Sequence, residues 1–246
     1  MTEDVHNDSY LAIDSAKSDF TGKTVYISGA SRGIGVGIAV SFARAGASQI
    51  AISSRSDNSS TVSAMREAAK AANRQEPDIL SLTVDLTNES SVAAAASEVK
   101  ARFGRLDIVI NNAGGTTGYG KAVAEMSLDE WKQNFEVNLH GPWLVLKHFL
   151  PLLLETEGGD KTIASVASVG AVLVTPGISG YQTSKLALLR LTEFAMAEHG
   201  HQGLLTYCVH PGNVRTGIVD ITKEQEPSMW GLFFFLSLRQ NLCTPS

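Results

Sequence analysis

Three observations predict an α/β fold built on a doubly wound parallel sheet. β-rich runs alternate with helical stretches, a glycine-rich turn joins the first run to the first helix, and characteristic residues follow the strand ends. Regular alternation of this kind is typical of a parallel sheet with helices on both faces. Such sheets bind ligands beyond the carboxyl ends of their strands. The residues that follow the predicted strands are Gly29, Arg55, Asp85, Asn112, Ser168 and Pro211.

Size and composition favour one large domain. The chain has 246 residues, of which 43% are hydrophobic and 18% charged, enough for a substantial core. Its net charge of −5 argues against nucleic acid or an anionic membrane surface as a partner. Only Cys208 and Cys243 are cysteines, and no CxxC pair occurs. We therefore expect no metal site and a cytoplasmic location.

The first strand, turn and helix form a predicted βαβ unit with the next strand. Thr24–Ser28 is a strand, Gly29–Gly35 the glycine turn, Val36–Arg44 a helix and Gln49–Ser53 the second strand. Glycines let backbone amides approach a pyrophosphate, and the helix N-terminus adds partial positive charge. This placement indicates a dinucleotide site. The alternative is a tight connection that binds nothing.

The alternation continues to about residue 209. Ser127-Leu128-Asp129-Glu130 has the form of a capping box and predicts the start of a long helix that reaches about Glu155. The other predicted elements are helices at Thr61–Arg74, Glu89–Phe103 and Tyr181–His199, and strands at Ile79–Val84, Leu106–Ile110, Thr162–Val166 and Leu204–Val209.

Tyr181 and Lys185 are the first candidates for chemistry. Their spacing of four residues places both side chains on one face of a helix. A nearby positive charge favours the phenolate, and so it lowers the pKa of a tyrosine from its usual value of roughly 10. A tyrosine tuned in this way can act as a general acid or base near neutral pH. The alternative is an exposed pair at the start of a surface helix.

Further motifs occur in a fixed order along the chain. A TGxxxGxG-like turn spans Ser28–Gly35, with Ser28 in place of the usual threonine, and NNAG stands at Asn111–Gly114. VNLHG contains Asn138, and PGxVxT covers Pro211–Thr216. Together with Ser168 and the Tyr181–Lys185 pair, these residues resemble the short-chain dehydrogenase/reductase family in its small single-domain form. The resemblance covers about residues 22 to 217 and implies a Rossmann-type fold.

The resemblance implies a role for each of four residues. Tyr181 would protonate the alkoxide that forms as hydride reaches a carbonyl carbon, or deprotonate an alcohol in reverse. Ser168 would hydrogen-bond the substrate oxygen; its competitor is Ser165, but the distance of thirteen residues to Tyr181 favours Ser168. Lys185 would lower the tyrosine pKa and hold the nicotinamide ribose, and Asn138 would bind the water that links Lys185 to solvent. The alternatives are a turn serine and an ordinary helix asparagine.

The end of the second predicted strand bears on the choice of cofactor. An acidic residue there would favour NAD, but the position is occupied by Ser54, and Arg55 follows. Arg32 offers a second guanidinium, and guanidinium forks suit phosphate. We therefore expect NADP, although either arginine could be a surface charge. The cofactor contacts that the resemblance implies are Gly29, Ser31, Arg32, Gly33, Ile34, Gly35, Ser54, Arg55, Asp85, Leu86, Asn112, Tyr181, Lys185, Val214 and Thr216.

The C-terminal part departs from the family pattern. Residues 218–246 contain the apolar segment Met229–Leu238 but no convincing seventh strand, so we expect the final strand of the sheet to be missing. In the family this region lines the substrate pocket and often builds an oligomer interface. The sequence thus divides into a loose arm at 1–20, a catalytic domain at 21–217, and a partial substrate-covering segment with an atypical tail at 218–246.

These features predict an NADP-dependent carbonyl reductase or alcohol dehydrogenase. Apolar residues near the site indicate a hydrophobic small-molecule substrate: Val172, Leu173, Val174 and Ile178. A homo-oligomer is a further expectation. Two alternatives remain open at this point. One is an NADP-binding protein that is catalytically impaired or regulatory; the other is a membrane-associated enzyme held by its Phe-rich tail.

Overall fold

A computed structural model describes residues 13–212 and residue 214. Within these residues, six parallel strands form one sheet in the order β3-β2-β1-β4-β5-β6. The order reverses between β1 and β4, which is the doubly wound arrangement that the sequence predicted. The strands are β1 Thr24–Ser28, β2 Gln49–Ser54, β3 Asp78–Thr83, β4 Ile108–Asn111, β5 Thr162–Val166 and β6 Leu205–Val209. The α-helices are α1 Ile34–Arg44, α2 Ser59–Ala71, α3 Glu89–Phe103, α4 Leu128–Phe135, α5 Gly141–Glu155 and α6 Ser179–His199.

The central strands are buried on both faces because helices cover both. Successive side chains of a strand point to opposite faces, and β1 shows the consequence. Val25 and Ile27 join the apolar layer formed with α1 and α2. Tyr26 joins the opposite layer, where its ring stacks on Phe149 of α5 with centroids 4.0 Å apart. The strand is therefore apolar on both faces, as a central parallel strand must be.

The long helix predicted from Ser127 is confirmed at its start and wrong in its middle. Ser127 and Glu130 form the capping box. However, a π-helical turn at Glu136–His140 separates α4 from α5. Pro142 lacks an N–H group, so it cannot donate the α-helical hydrogen bond to the carbonyl of residue 138. The N–H of Gly141 donates instead to the carbonyl of Glu136, five residues earlier.

The ends of the chain are described only in part. Residues 13–20, the last part of the predicted arm, contact α1: Asp14 pairs with Arg44 at 3.0 Å, and the Phe20 ring packs edge-on against Phe42. Residues 1–12 and the predicted tail at 218–246 lie outside the described residues. Within the described part, β6 pairs only with β5. No helix there is long and apolar enough to cross a membrane.

Candidate active site

The glycine turn packs closely against the chain that follows β4. Gly29 has a φ of 70°, and a Cβ on it would lie 2.7 Å from the Cα of Ala113. A Cβ on Gly35 would lie 2.2 Å from the carbonyl oxygen of Gly29. The side-chain amide of Asn112 donates hydrogen bonds to the carbonyls of Ser28 and Gly29, at 3.0 and 2.9 Å. Asn112 thus fastens the turn, and only glycine fits at positions 29 and 35.

The N-terminus of α1 opens directly from this turn. Gly33 occupies the N-cap position and, within the described residues, no side chain caps the helix. The first N–H groups of a helix lack intrahelical partners and attract anions. Ser31 and Ile34 are half-buried beside them, and Arg32 is exposed. These groups fit the pyrophosphate of a dinucleotide, which is the ligand that the turn predicted.

The end of β2 presents an arginine rather than a carboxylate. Ser54 is buried, and its hydroxyl contacts the carbonyl oxygen of Ser56 and Oδ1 of Asn58. Arg55 is exposed. The nearby carboxylate of Asp57 accepts hydrogen bonds from the backbone and hydroxyl of Ser59. Ser54 therefore shapes the loop, while Arg55 is the side chain free to reach a ligand from this position.

Asp85 and Leu86 follow β3 and have different surroundings. Hydrogen bonds from the N–H and hydroxyl of Thr87 lower the pKa of Asp85, and the positive charge of Arg55 adds to the effect. Asp85 and Arg55 therefore face the same region. The Leu86 side chain, in contrast, is buried against Gly141 in the core. Only its backbone can contact a cofactor.

Of the two predicted cofactor contacts in PGxVxT, Val214 lies within the described residues. Val214 is exposed at 40%. Thr216 lies outside the described residues. Both remain predicted contacts.

Ser168 and Tyr181 meet beyond the carboxyl end of β5. Ser168 caps a short 3-10 turn at Val169–Ala171, and its hydroxyl accepts a hydrogen bond from the N–H of Gly170 at 3.0 Å. The same hydroxyl lies close enough to the phenol of Tyr181, at the start of α6, to lower the pKa of the tyrosine. Ser165 is buried inside β5, in register with Asn111 of β4. Of the two candidate serines, only Ser168 contacts the tyrosine.

The expected effect of Lys185 on Tyr181 is wrong in this structure. Burial raises the pKa of Tyr181, and the hydrogen bond from Ser168 opposes this rise only in part. The Lys185 Nζ lies 5.9 Å from the centre of the tyrosine ring. It donates a hydrogen bond of 2.8 Å to the carbonyl of Val166, and burial lowers its own pKa to about 8. Desolvation is therefore the largest cause of both pKa shifts, which the sequence spacing could not reveal.

Asn138 lies in the π-helical turn and is fully buried. Its side-chain N–H groups donate to the carbonyl of Gly115 and the hydroxyl of Ser184, at 2.8 and 3.1 Å. Its Oδ1 accepts from the N–H of Gly115 at 3.0 Å. The side chain thus ties the loop after β4 to α6. Its predicted role in binding a water stays a prediction, and the amide hydrogens are already used.

One buried residue beside the site was missed by the sequence analysis. Gln182 follows Tyr181, is 8% exposed and makes two hydrogen bonds to Thr175. Its position one residue after the tyrosine was the only available signal. A glutamine there reads equally well as a solvent-exposed helix residue.

The arrangement agrees with comparisons to known proteins. Residues 23–227 match the family model described as short chain dehydrogenase. The chain belongs to the short-chain dehydrogenase family. A curated member, the short chain dehydrogenase pigC of Monascus ruber, is 46% identical over 219 residues, which cover 89% of this chain and 71% of the relative.

Solved structures in the comparison include members with either nicotinamide cofactor. Carveol dehydrogenase from Mycobacterium avium, in complex with NAD, superposes with a TM-score of 0.73 at 26% identity, covering 82% of this chain and 74% of that one. An alcohol dehydrogenase from Thermococcus sibiricus, complexed with 5-hydroxy-NADP, gives 0.63 at 29%, covering 76% and 75%. This short-chain dehydrogenase is thus an oxidoreductase of a family that binds a nicotinamide cofactor.

Proposed function

We propose that this short-chain dehydrogenase is an NADP-dependent oxidoreductase that interconverts a carbonyl group and a secondary alcohol. The observation that carries the proposal is the placement of Ser168 beside Tyr181, with the buried Lys185 one helical turn along α6. These groups lie beyond the carboxyl ends of the strands, on the same edge of the sheet as the glycine turn. This edge is where doubly wound sheets bind their ligands.

Tyr181 supplies or removes the proton. Because burial raises its pKa, the phenol is protonated at neutral pH and is ready to donate. A substrate oxygen that accepts hydrogen bonds from the Tyr181 and Ser168 hydroxyls would carry developing negative charge between two donors. The N–H of Gly170 donates to the Ser168 oxygen, so the serine hydroxyl keeps its proton for donation to a substrate oxygen. A nicotinamide cofactor, when bound, supplies or accepts the hydride.

Lys185 holds positive charge under the site at and below neutral pH. Its ammonium is fixed on the Val166 carbonyl, and a Cβ on Gly114 would lie 3.3 Å from it. Gly114 therefore leaves the ammonium accessible from the loop after β4. We assign Lys185 the ribose contact, with Asn138 holding the adjacent Gly115 backbone in place.

The NADP preference rests on charge at the adenine end. Arg55 is exposed directly after β2, Arg32 is exposed in the glycine turn, and the nearby Asp57 carboxylate is engaged by Ser59. A 2′-phosphate would gain charge-assisted hydrogen bonds from the two guanidinium groups. The negative charges of Asp57 and Asp85 would oppose it, and that of Asp85 is partly balanced by Arg55.

One experiment can test the cofactor preference and the reduction of a carbonyl group separately. The purified chain is titrated with NADPH and with NADH by protein fluorescence, and NADPH oxidation is then followed with a panel of ketones, including 2-tetralone and butan-2-one. We expect tighter binding of NADPH and turnover of at least one ketone. Binding without any turnover would favour a regulatory, catalytically impaired protein instead. Tighter binding of NADH would overturn the cofactor assignment.

A further inference from the structure

Gln182 is a buried polar side chain that makes both of its bonds to one residue. Its Oε1 accepts a hydrogen bond from the backbone N–H of Thr175 at 2.9 Å. Its Nε2 donates to the Thr175 hydroxyl at 3.2 Å. Buried polar groups are costly unless they are paired in this way. Gln182 therefore holds Thr175, seven residues earlier in the chain, in place.

The same side chain also packs against the turn that carries Ser168. A Cβ on Gly170 would lie 3.1 Å from Gln182 Nε2 and 3.3 Å from Ser168 Oγ. Gly170 is also the residue whose N–H fixes the Ser168 hydroxyl. Gln182 thus lies between the Ser168 turn on one side and Thr175 on the other.

The segment between these two points is apolar and exposed. Within the described part of the chain, Val172, Leu173 and Val174 are exposed at 49%, 38% and 96%. Beyond Thr175, the loop is held at Gly177, whose carbonyl accepts a hydrogen bond of 2.8 Å from the N–H of Gly120. Because this exposed segment buries little apolar surface, hydrogen bonds at its ends must offset the conformational entropy that is lost when it is ordered.

We propose that Gln182 is a positioning residue for substrate recognition. The N–H groups of Val172 and Leu173 already bond the Val169 carbonyl. By holding Thr175, Gln182 fixes the other end of Val172–Val174 beside Ser168 and Tyr181, where the three apolar side chains contact the apolar part of the substrate. This role rests on the proposed carbonyl chemistry. Gln182 acts through the loop and touches no reacting atom.

Hydrogen exchange tests the fastening without any substrate. Gln182→Met keeps the length of the side chain and removes both hydrogen bonds, whereas Gln133→Met makes the same change at an exposed position of α4. We expect the Thr175 amide to exchange roughly tenfold faster in Gln182→Met, the size of effect that loss of a buried hydrogen bond produces. Gln133→Met leaves it unchanged. Equal protection of the Thr175 amide in both variants would overturn the proposal.

A pair of substitutions at the partner residue separates the two bonds. Thr175→Val removes only the hydroxyl contact, and Thr175→Ser retains it. We expect a smaller rise in loop exchange for Thr175→Val than for Gln182→Met, and wild-type exchange for Thr175→Ser. A Thr175→Val variant with a larger effect than Gln182→Met would contradict Gln182 as the fastening residue.

Steady-state kinetics test whether the loop held by Gln182 contributes to substrate recognition. For Gln182→Met we expect the KM for the bicyclic 2-tetralone to rise about tenfold with kcat little changed, because an ordered contact is lost before the chemical step. The KM for butan-2-one and the dissociation constant for NADPH stay as in the wild type. An equal loss with both ketones, or weaker NADPH binding, would show general damage and overturn the recognition role.

The outcomes also separate this inference from the proposed function. If the wild-type chain reduces no ketone of the panel, the proposed function fails. The exchange of the Thr175 amide still decides whether Gln182 fastens the loop. If the wild type is active and Gln182→Met keeps its relative preference for 2-tetralone over butan-2-one, only the present inference fails.

Discussion

The ammonium of Lys185 donates a hydrogen bond of 2.8 Å to the carbonyl oxygen of Val166, nineteen residues earlier in the chain. The bond joins α6 to the carboxyl end of β5, the strand that leads into Ser168. Since Lys185 is 3% exposed, this carbonyl replaces part of the water that its charge has lost. The lysine therefore has a structural attachment as well as a proposed catalytic role, and four predictions follow from the site around it.

Replacing Lys185 with Met should change the pH dependence of stability. Burial lowers the pKa of Lys185 to about 8, whereas an unfolded lysine titrates near about 10.4. Between these values the unfolded chain binds more protons at this residue, so the contribution of Lys185 to the free energy of unfolding rises with pH. We expect Lys185→Met to lack this contribution, as measured by urea denaturation at pH 8, 9 and 10.

The control for this experiment is Lys132→Met, at an exposed position of α4. The free energy of unfolding of this control should depend on pH as that of the wild type does. Parallel curves for the wild type and Lys185→Met would mean that the buried lysine keeps an ordinary pKa. The raised pKa of Cys208 acts in the opposite direction within this window, and the raised pKa of Tyr181 does so above pH 10, so the curves of the three proteins are compared with one another.

Replacing Tyr181 with Phe should abolish proton transfer while preserving the fold. The ring remains but the transferable proton and the bond to Ser168 are lost, and we expect turnover of 2-tetralone to fall by at least about 10²-fold. The affinity for NADPH should stay nearly constant. Tyr207→Phe, at an exposed position of β6, serves as the matched control and should keep full activity. Near-normal turnover by Tyr181→Phe would show that another group is the acid.

Replacing Arg55 with Ala should discriminate between the two cofactors. Loss of one charge-assisted contact to a 2′-phosphate should weaken NADPH binding by roughly one to two orders of magnitude. NADH binding should hardly change, because NADH lacks that phosphate. Arg190→Ala, an exposed arginine of α6, is the control for the general loss of positive charge. An equal loss of affinity for both cofactors would exclude a 2′-phosphate contact.

Two glycines of α1 should respond in opposite ways to alanine. At Gly35 the added Cβ would lie 2.2 Å from the carbonyl of Gly29, so the turn must move and we expect NADPH binding to be lost. At Gly37 no atom lies within 4 Å, and alanine should stabilise the helix by about 0.5–1 kcal/mol. Fluorescence titration and thermal unfolding measure both effects. Normal cofactor affinity in Gly35→Ala would show that the turn does not need its close contact.

The sequence by itself determined the order of strands and helices, because local propensity and hydrophobic period act over a few residues. It also identified the capping box at Ser127 and Glu130, whose two partners are only three residues apart. The spacing of thirteen residues favoured Ser168 over Ser165, and of these two serines only Ser168 affects the pKa of Tyr181. These features depend on neighbours along the chain, which a sequence displays directly.

Only the tertiary structure decided what the buried polar groups bind. Hydrogen bonds join Lys185 to Val166, Asn138 to Gly115, and Gln182 to Thr175. Each of these choices depends on which carbonyl, hydroxyl or amide the packed strands and helices bring within about 3 Å, the range of a hydrogen bond. The pKa of Tyr181 follows the same rule, because burial, which no spacing encodes, is the largest cause of its rise.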